Sequence, residues 1–262
     1  MIKPQRPSPR VLTVKTVQHL TPNMIRVTFQ GPELAGITPD CAGANCKIFM
    51  PAAGQSRDDF THELENGRPT VRTYTVRAYR GEVLEMDIDF VDHGDEGPAS
   101  AWACNAKAGD FLGFRGPSAL KLNEFYADWY LVAADMSALP VAGAVLETMP
   151  RDAKGVAIFE ITSPEDKQDI DAPKGIDIHW LVHENPHHAS TAQEDFIRAM
   201  DWPTGTCQTC IAGESGVIKS LRGFLTNEVN LPREDVYISG YWKIGLIEDE
   251  HQKMKRAEAA AA

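Results

Sequence analysis

The sequence predicts two domains in series, an antiparallel six-stranded β-barrel over residues 1–120 and a parallel α/β sandwich over residues 121–262. Three observations carry that prediction. The first 117 residues consist of short β-branched segments bounded by Pro, Gly, Asn or Asp, the pattern of an all-β domain. After residue 128, near-continuous apolar segments alternate with segments of helical spacing, the grammar of a parallel sheet covered by helices. The length of 262 residues, with 43% hydrophobic content, suits two cores of ordinary domain size.

In chain order the first domain offers VLTVKTV, MIRVTFQG, CKIFMP, VRTYTVRAY, VLEMDIDFV and DFLGFRGP as strands. Six strands at this spacing close most simply into a barrel. One helical break falls at Gly97-Pro98-Ala99-Ser100-Ala101-Trp102-Ala103, with proline suited to the first helical position. The segment LKLNEFYAD leads into the second domain, whose strands are WYLVAAD, GVAIFEIT, DIHWLVH, TCQTCIAGE and VYISGYW. Between them LPVAGAVLETM, STAQEDFIRAM and GVIKSLRGFLTNEV carry helical spacing. A last helix is expected over LIEDEHQKMKRAEAAAA, with Glu248, Asp249 and Glu250 near its start and Lys253, Lys255 and Arg256 beyond, which suits the helix dipole. It serves either as a structural end or as a lid over the active site.

The formal charge of −11 argues against nucleic acid or an anionic membrane as a partner engaged through bulk charge. No run of about 18 apolar residues is present to span a bilayer. The basic MIKPQRPSPR leads into an alternating strand pattern rather than a signal-peptide apolar region. Five cysteines form no framework, so a soluble protein of the reducing cytoplasm is expected, and nothing in the sequence demands more than a monomer. The single Cys207-x-x-Cys210 lies in a strand and has no second pair. It reads as two ordinary strand cysteines, without an iron–sulfur cluster.

The stretch VRTYTVRAY, residues 71–79, carries the first chemical signal. Period-two alternation puts Arg72 and Tyr74 on one face, about 7 Å apart, so a cation and a flat ring stand side by side. Further signals follow at Asp89-Phe90-Val91 before His93-Gly94, at Gly97-Pro98-Ala99-Ser100, at Ala134-Asp135-Met136-Ser137-Ala138-Leu139-Pro140, at Ala212-Gly213-Glu214, and at Gly240-Tyr241-Trp242.

Arg72-Thr73-Tyr74-Thr75 resembles the R-x-Y-[ST] flavin motif of the ferredoxin–NADP reductase superfamily. The six signals in this order resemble one branch of it, the siderophore-interacting proteins, which are FAD-dependent ferric-siderophore reductases. The resemblance runs over about residues 8–256 and implies a role for each piece. Tyr74 would stack on the isoalloxazine, Arg72 would reach the pyrophosphate, and the Thr75 N–H would serve the flavin edge, with Thr73 between them in the motif. The start of the helix at Gly97, Pro98, Ala99 and Ser100 would seat the second phosphate, with the Ser100 hydroxyl as a further donor. Asp89, Phe90 and Val91 would belong to the cofactor-binding set, and His93 would contact the adenosine portion. Asp135 and Ser137 open a strand-to-helix turn where ligands of such sheets bind; Met136 departs from the family's small polar residue. Tyr241 or Trp242 would cover the other face of the ring.

A ferric siderophore carries hard oxygen donors and negative charge, so the family places basic residues near the flavin. Lys47 and Lys243 match by position, with Arg115 or Lys121 as the third. The electron donor would be NADH, NADPH or ferredoxin. Glu214, with Ser215 as the helix N-cap, ends a strand where a nicotinamide would dock, and an acid there does not favour a 2′-phosphate. FAD suits the reaction because a flavin takes an electron pair and passes electrons on singly. Two competing readings stay open: a flavin or ferredoxin reductase without siderophore specificity, and a non-catalytic iron-chelate carrier.

Overall fold

The computed structural model describes residues 8–94, 97–120, 122, 124–246, 250–251, 253–254 and 257. The chain divides into two compact units, Met1–Lys121 and Leu122–Ala262.

The first unit is one antiparallel sheet of seven strands, not six. They are β1 (Arg10–Thr21), β2 (Met24–Gln30), β3 (Asn45–Met50), β4 (Thr70–Thr75), β5 (Ala78–Arg80), β6 (Glu85–Val91) and β7 (Phe111–Arg115), in the order β4-β3-β7-β1-β2-β6-β5. The extra strand arises because VRTYTVRAY is not one strand: it breaks at Val76-Arg77 into β4 and β5, which lie at opposite ends of the sheet. Val76 N–H donates to Ala44 O at 2.9 Å, beside β3, while the next N–H, of Arg77, donates to Asp87 O of β6 at 2.9 Å. Two extended residues reach only about 7 Å. The sheet must therefore roll until its ends meet, and this stretch joins them. The two ends are brought together by the chain and by side chains, and no ladder joins β4 to β6. Across that seam the Tyr74 and Phe90 rings lie 4.6 Å apart. Register irregularities in β1 between Val14 and Thr16 and between His19 and Thr21 help the longest strand to curl.

Alternation fills the barrel. Leu12, Val14, Ile25, Val27, Phe29, Ile48, Ile88 and Phe114 point inward and are buried. The opposite face of β3, β7 and β1 presents Phe49, Phe111 and Val11, which bury Phe60 of helix α1 (Arg57–Asn66). This helix was not foreseen in the sequence. Its N-cap Ser56 accepts the Asp59 N–H at 3.2 Å, and the Ser-x-x-Asp spacing was the available signal. Helix α2 (Pro98–Asn105) starts behind Gly97 as expected.

The second unit is a five-stranded parallel sheet of β8 (Trp129–Asp135), β9 (Lys154–Ile161), β10 (Gly175–Val182), β11 (Cys207–Glu214) and β12 (Val236–Trp242), ordered β10-β9-β8-β11-β12. The chain winds outward from β8 to β10 and then returns to β11 on the other side of β8. That reversal makes a topological switch point between β8 and β11. Helices α3 (Leu139–Thr148), α4 (Ala192–Ala199) and α5 (Ser215–Asn227) connect the strands. Helix α3 is apolar almost all round and correspondingly buried. Leu131, Ile158, Ile211, Ile218, Leu221 and Phe224 form the core under α5.

Of the last expected helix, residues 250, 251, 253, 254 and 257 are helical. Glu248, Asp249, Lys255 and Arg256 lie outside the described residues. His251 is buried and its Nε2 meets Ser215 Oγ at 2.8 Å, so this segment docks on the start of α5.

Candidate flavin and electron-donor sites

In the first unit the register of β3 against β4 fixes what each side chain faces. Tyr74 stands opposite Cys46 and Arg72 opposite Ile48. Residues directly opposite share a face, so the cation and the ring do stand together, on the face that becomes the barrel interior. Because β4 is an end strand, that face opens at the seam, and both side chains are half-buried. The Arg72 guanidinium is steered by its own strand, Nη1 donating to Val71 O at 2.9 Å.

Thr75 is buried by its side chain, and its backbone is the informative part. Val76 N–H points to the β3 side, and successive N–H groups along a strand point to opposite edges. Thr75 N–H is thus aimed at the edge of β4 that bears no strand.

Helix α2 presents its N-terminal N–H groups, an arrangement that can hold an anion. Its N-cap Gly97 makes no side-chain cap bond, Pro98 brings no N–H, and the N–H groups of Ala99 and Ser100 have no intrahelical acceptor. Ser100 is buried and its Oγ accepts the His93 N–H at 3.1 Å. The hydroxyl therefore ties the His93 loop to the helix and keeps its proton to donate. A Cβ at Gly97 would stand 2.7 Å from His93 Cε1, so glycine lets the imidazole lie against the helix start.

The side chains of Asp89 and Phe90 are engaged within the first unit. Asp89 is buried in a bidentate pair with Arg26, both contacts at 2.7 Å, with Arg77 at 3.8 Å. Phe90 is fully buried, because alternation sends it inward; its ring backs Tyr74 instead of facing solvent. Val91, half-buried, stands opposite Met24.

Of the expected basic residues, Lys47 and Arg115 are brought together. They stand opposite each other on β3 and β7, and Lys47 is also opposite Thr73. Lys47 Nζ donates to Thr73 Oγ1, and the Arg115 guanidinium lies over the Phe49 ring at 5.1 Å. This row faces away from the barrel interior. Lys121 lies outside the described residues. Lys243 belongs to the second unit, where its Nζ rests 3.4 Å from Met254 Sδ.

In the second unit the carboxyl ends of β8 and β11 flank the switch point, and each ends in a carboxylate. Asp135 Oδ1 accepts Ser137 N–H at 2.9 Å and Ser137 Oγ–H at 2.6 Å, while Oδ2 accepts the Trp242 indole N–H at 2.7 Å. The Glu214 N–H adds a further bond. Reaching Trp242 on β12 means crossing β11, and Gly213 makes that crossing feasible. Its φ is +153°, and a Cβ there would stand 2.6 Å from Asp135 Oδ2. Burial pushes the Asp135 carboxyl above its ordinary range, and the bonds from Ser137, Trp242 and Glu214 oppose it. Glu160, opposite Asp135 on β9, is also raised, first by burial, and accepts Ser190 Oγ–H at 2.6 Å.

Glu214, not Ser215, is the N-cap of α5. Its Oε2 accepts the Gly216 N–H at 2.5 Å and the Val217 N–H at 3.0 Å, and Oε1 accepts the Ile244 N–H at 3.3 Å. Ser215 instead donates to Trp242 O at 2.8 Å. Tyr241 and Trp242 are half-buried at the end of β12. The Asp135–Gly213–Trp242 crossing and the Ser215–His251 contact were missed in the sequence. Only the glycine before Glu214 hinted at the first, and nothing local marked the second.

The donors gathered in the first unit fit FAD: a guanidinium and uncapped helix N–H groups for a pyrophosphate, a half-buried ring at an open seam, and an edge-directed N–H.

Comparison with known proteins agrees. Residues 13–121 match the siderophore-interacting FAD-binding domain and residues 127–245 the siderophore-interacting protein domain. The ferric vibriobactin reductase ViuB of Vibrio cholerae is 34% identical over 259 residues, covering 95% of this chain and 94% of that protein. The NADPH-dependent ferric-chelate reductase of Escherichia coli is 31% identical, covering 89% and 92%. The crystal structure of the siderophore-interacting protein SipS from Aeromonas hydrophila superposes with a TM-score of 0.83 at 33% identity, over 97% of this chain and 99% of that one. A ferredoxin–NADP+ reductase from Plasmodium falciparum, at 12% identity and a TM-score of 0.63 over 89% and 96%, shares the fold. The chain belongs to the siderophore-interacting protein family.

Proposed function

We propose that this chain reduces ferric siderophores and releases Fe(II), with FAD as its resident cofactor and NADH, NADPH or reduced ferredoxin as electron donor. The observation that carries the reading is the open edge of β4, where Arg72, Tyr74 and the Thr75 N–H converge within the matched FAD-binding region. When bound, the flavin accepts an electron pair and delivers electrons singly, matching a two-electron donor to one-electron iron. One nucleotide hydride thus reduces two ferric ions and leaves a proton.

The chain's own residues bind and orient. Arg72 and the Ala99 and Ser100 N–H groups hold the pyrophosphate, and His93, fixed by Ser100, lies beside it. Tyr74 is backed by the Phe90 ring, tilted 39° to it. Lys47 and Arg115 attract the anionic chelate, and Lys243 serves the same purpose in the second unit. Fe(II) is held less tightly than Fe(III) by hard oxygen ligands, so reduction is also release. No described helix is long and apolar enough to cross a membrane. We place the activity in the reducing cytoplasm, which suits five free cysteines, and take the protein to act as a monomer.

The test is anaerobic. The purified protein should be yellow, should bleach when mixed with one of the three donors, and should then regain its colour on adding ferric siderophore while Fe(II) appears in a chromogenic chelator. Protein that binds no FAD, or whose reduced form leaves the ferric chelate unchanged, overturns the proposal.

A further inference from the structure

The switch point of the second unit is where a sheet of this topology takes a dinucleotide, with its pyrophosphate on helix N–H groups beyond the carboxyl ends of the strands. Here the first N–H groups of α5 and one N–H in the turn before α3 are taken by the chain's own anions, while the start of α3 itself has no side-chain cap. Glu214 bonds the Gly216 and Val217 N–H groups at the start of α5, and Asp135 bonds the Ser137 N–H in the turn leading to α3. Glu160 extends the row on β9, and α4 has Glu194 and Asp195 in its first turn. Among the described residues no lysine or arginine forms an ion pair with Asp135, Glu160 or Glu214. The segment containing His251 docks on the same helix start. We infer that Asp135 and Glu214 are specificity-determining residues for the electron donor: seated on the N–H groups of the β8–β11 switch point, they hold off a dinucleotide pyrophosphate and keep NADH and NADPH weakly bound.

This inference rests on the proposed function for the meaning of the donor, but nucleotide binding tests it without turnover. A carboxylate about 6 Å from a dianionic pyrophosphate in screened solvent opposes binding by about tenfold. The experiment is calorimetric titration of NADP+ into the FAD-loaded protein at pH 8, in low and moderate salt. Wild type is compared with Glu214→Gln, Asp135→Asn and the double variant. Glutamine keeps an acceptor on the α5 N–H groups while removing the charge, so Glu214→Gln decides the matter if the Asp135 variant folds poorly. We expect each single variant to bind about tenfold tighter than wild type, the double variant tighter still, and the wild-type affinity to rise with salt as repulsion is screened. Affinities unchanged or weakened in the variants, or wild-type binding that is tight and falls with salt, overturn the inference. Ferric-siderophore reduction by dithionite-reduced protein, measured separately, reports on the proposed function alone.

Discussion

Gly213→Ala perturbs the second unit at one point, and its cost follows from the geometry. The residue sits at φ +153°, where a side chain costs about 1–3 kcal/mol in backbone strain. The new Cβ would also stand 2.6 Å from Asp135 Oδ2, against an ordinary contact above about 3.3 Å. The carboxylate must move, and it carries bonds from Ser137, Trp242 and Glu214. Weakening one or two of these costs about 1 kcal/mol each. The expected loss is about 2–5 kcal/mol, read as a urea midpoint lowered by about 1–2 M with tryptophan emission as the probe. Gly213→Ala combined with Asp135→Ala should lose less than the sum of the two single losses, because the clash disappears with the carboxylate. A loss below about 1 kcal/mol, or strictly additive effects, refutes the account of β11 as a strand thinned to let Asp135 reach Trp242.

Arg72→Ala should weaken FAD binding by about 10–100-fold, as expected for a charge-assisted contact of about 1.5–3 kcal/mol; flavin fluorescence titration of the apoprotein measures it. Lys47→Ala with Lys243→Ala should raise KM for anionic ferric chelates several-fold while sparing flavin reduction by the donor, checked by steady-state and stopped-flow traces side by side. Glu160→Gln should stabilise the protein at pH 7–8. Burial raises the Glu160 carboxyl, so its ionised form is disfavoured in the folded state. The advantage should fade as pH falls through the raised native value toward the unfolded one, which denaturation midpoints across pH will show. In native protein a maleimide should modify Cys104, which is exposed, and spare Cys207 and Cys210, whose thiols burial pushes up to about 12; mass spectrometry after brief labelling gives the answer.

Much of this is legible in the sequence because the physics is local. Alternation alone placed Arg72 beside Tyr74, and apolar continuity separated the parallel strands from the barrel. Helices α3, α4 and α5 follow from 3.6-residue spacing. What escaped was set by pairing between distant segments. The break at Val76-Arg77 is invisible in a run that alternates without interruption, because the barrel's two ends compete for it. Glu214 displaced Ser215 as cap because its longer side chain folds back onto the helix start. The reach of Asp135 over Gly213 to Trp242 joins residues 107 positions apart, a distance no local pattern spans. Helix α1 is the counterexample, since its Ser56 cap was readable and the polar run after it masked the signal.

With the flavin at the proposed site, the junction at Val76-Arg77 would also tie cofactor loading to the integrity of the first unit. Arg72, Tyr74 and Thr75 sit immediately before a point where one N–H is anchored to each margin of the sheet. Their pairing on one face is local to β4, but the end of that strand is held by both margins. Any ligand that selects this arrangement draws its stabilisation from the entire cylinder and returns it there by mass action. Retention of colour through a denaturation series then becomes a direct gauge of whether the cylinder is shut, and a mutation anywhere that slackens it will be felt first as bleaching.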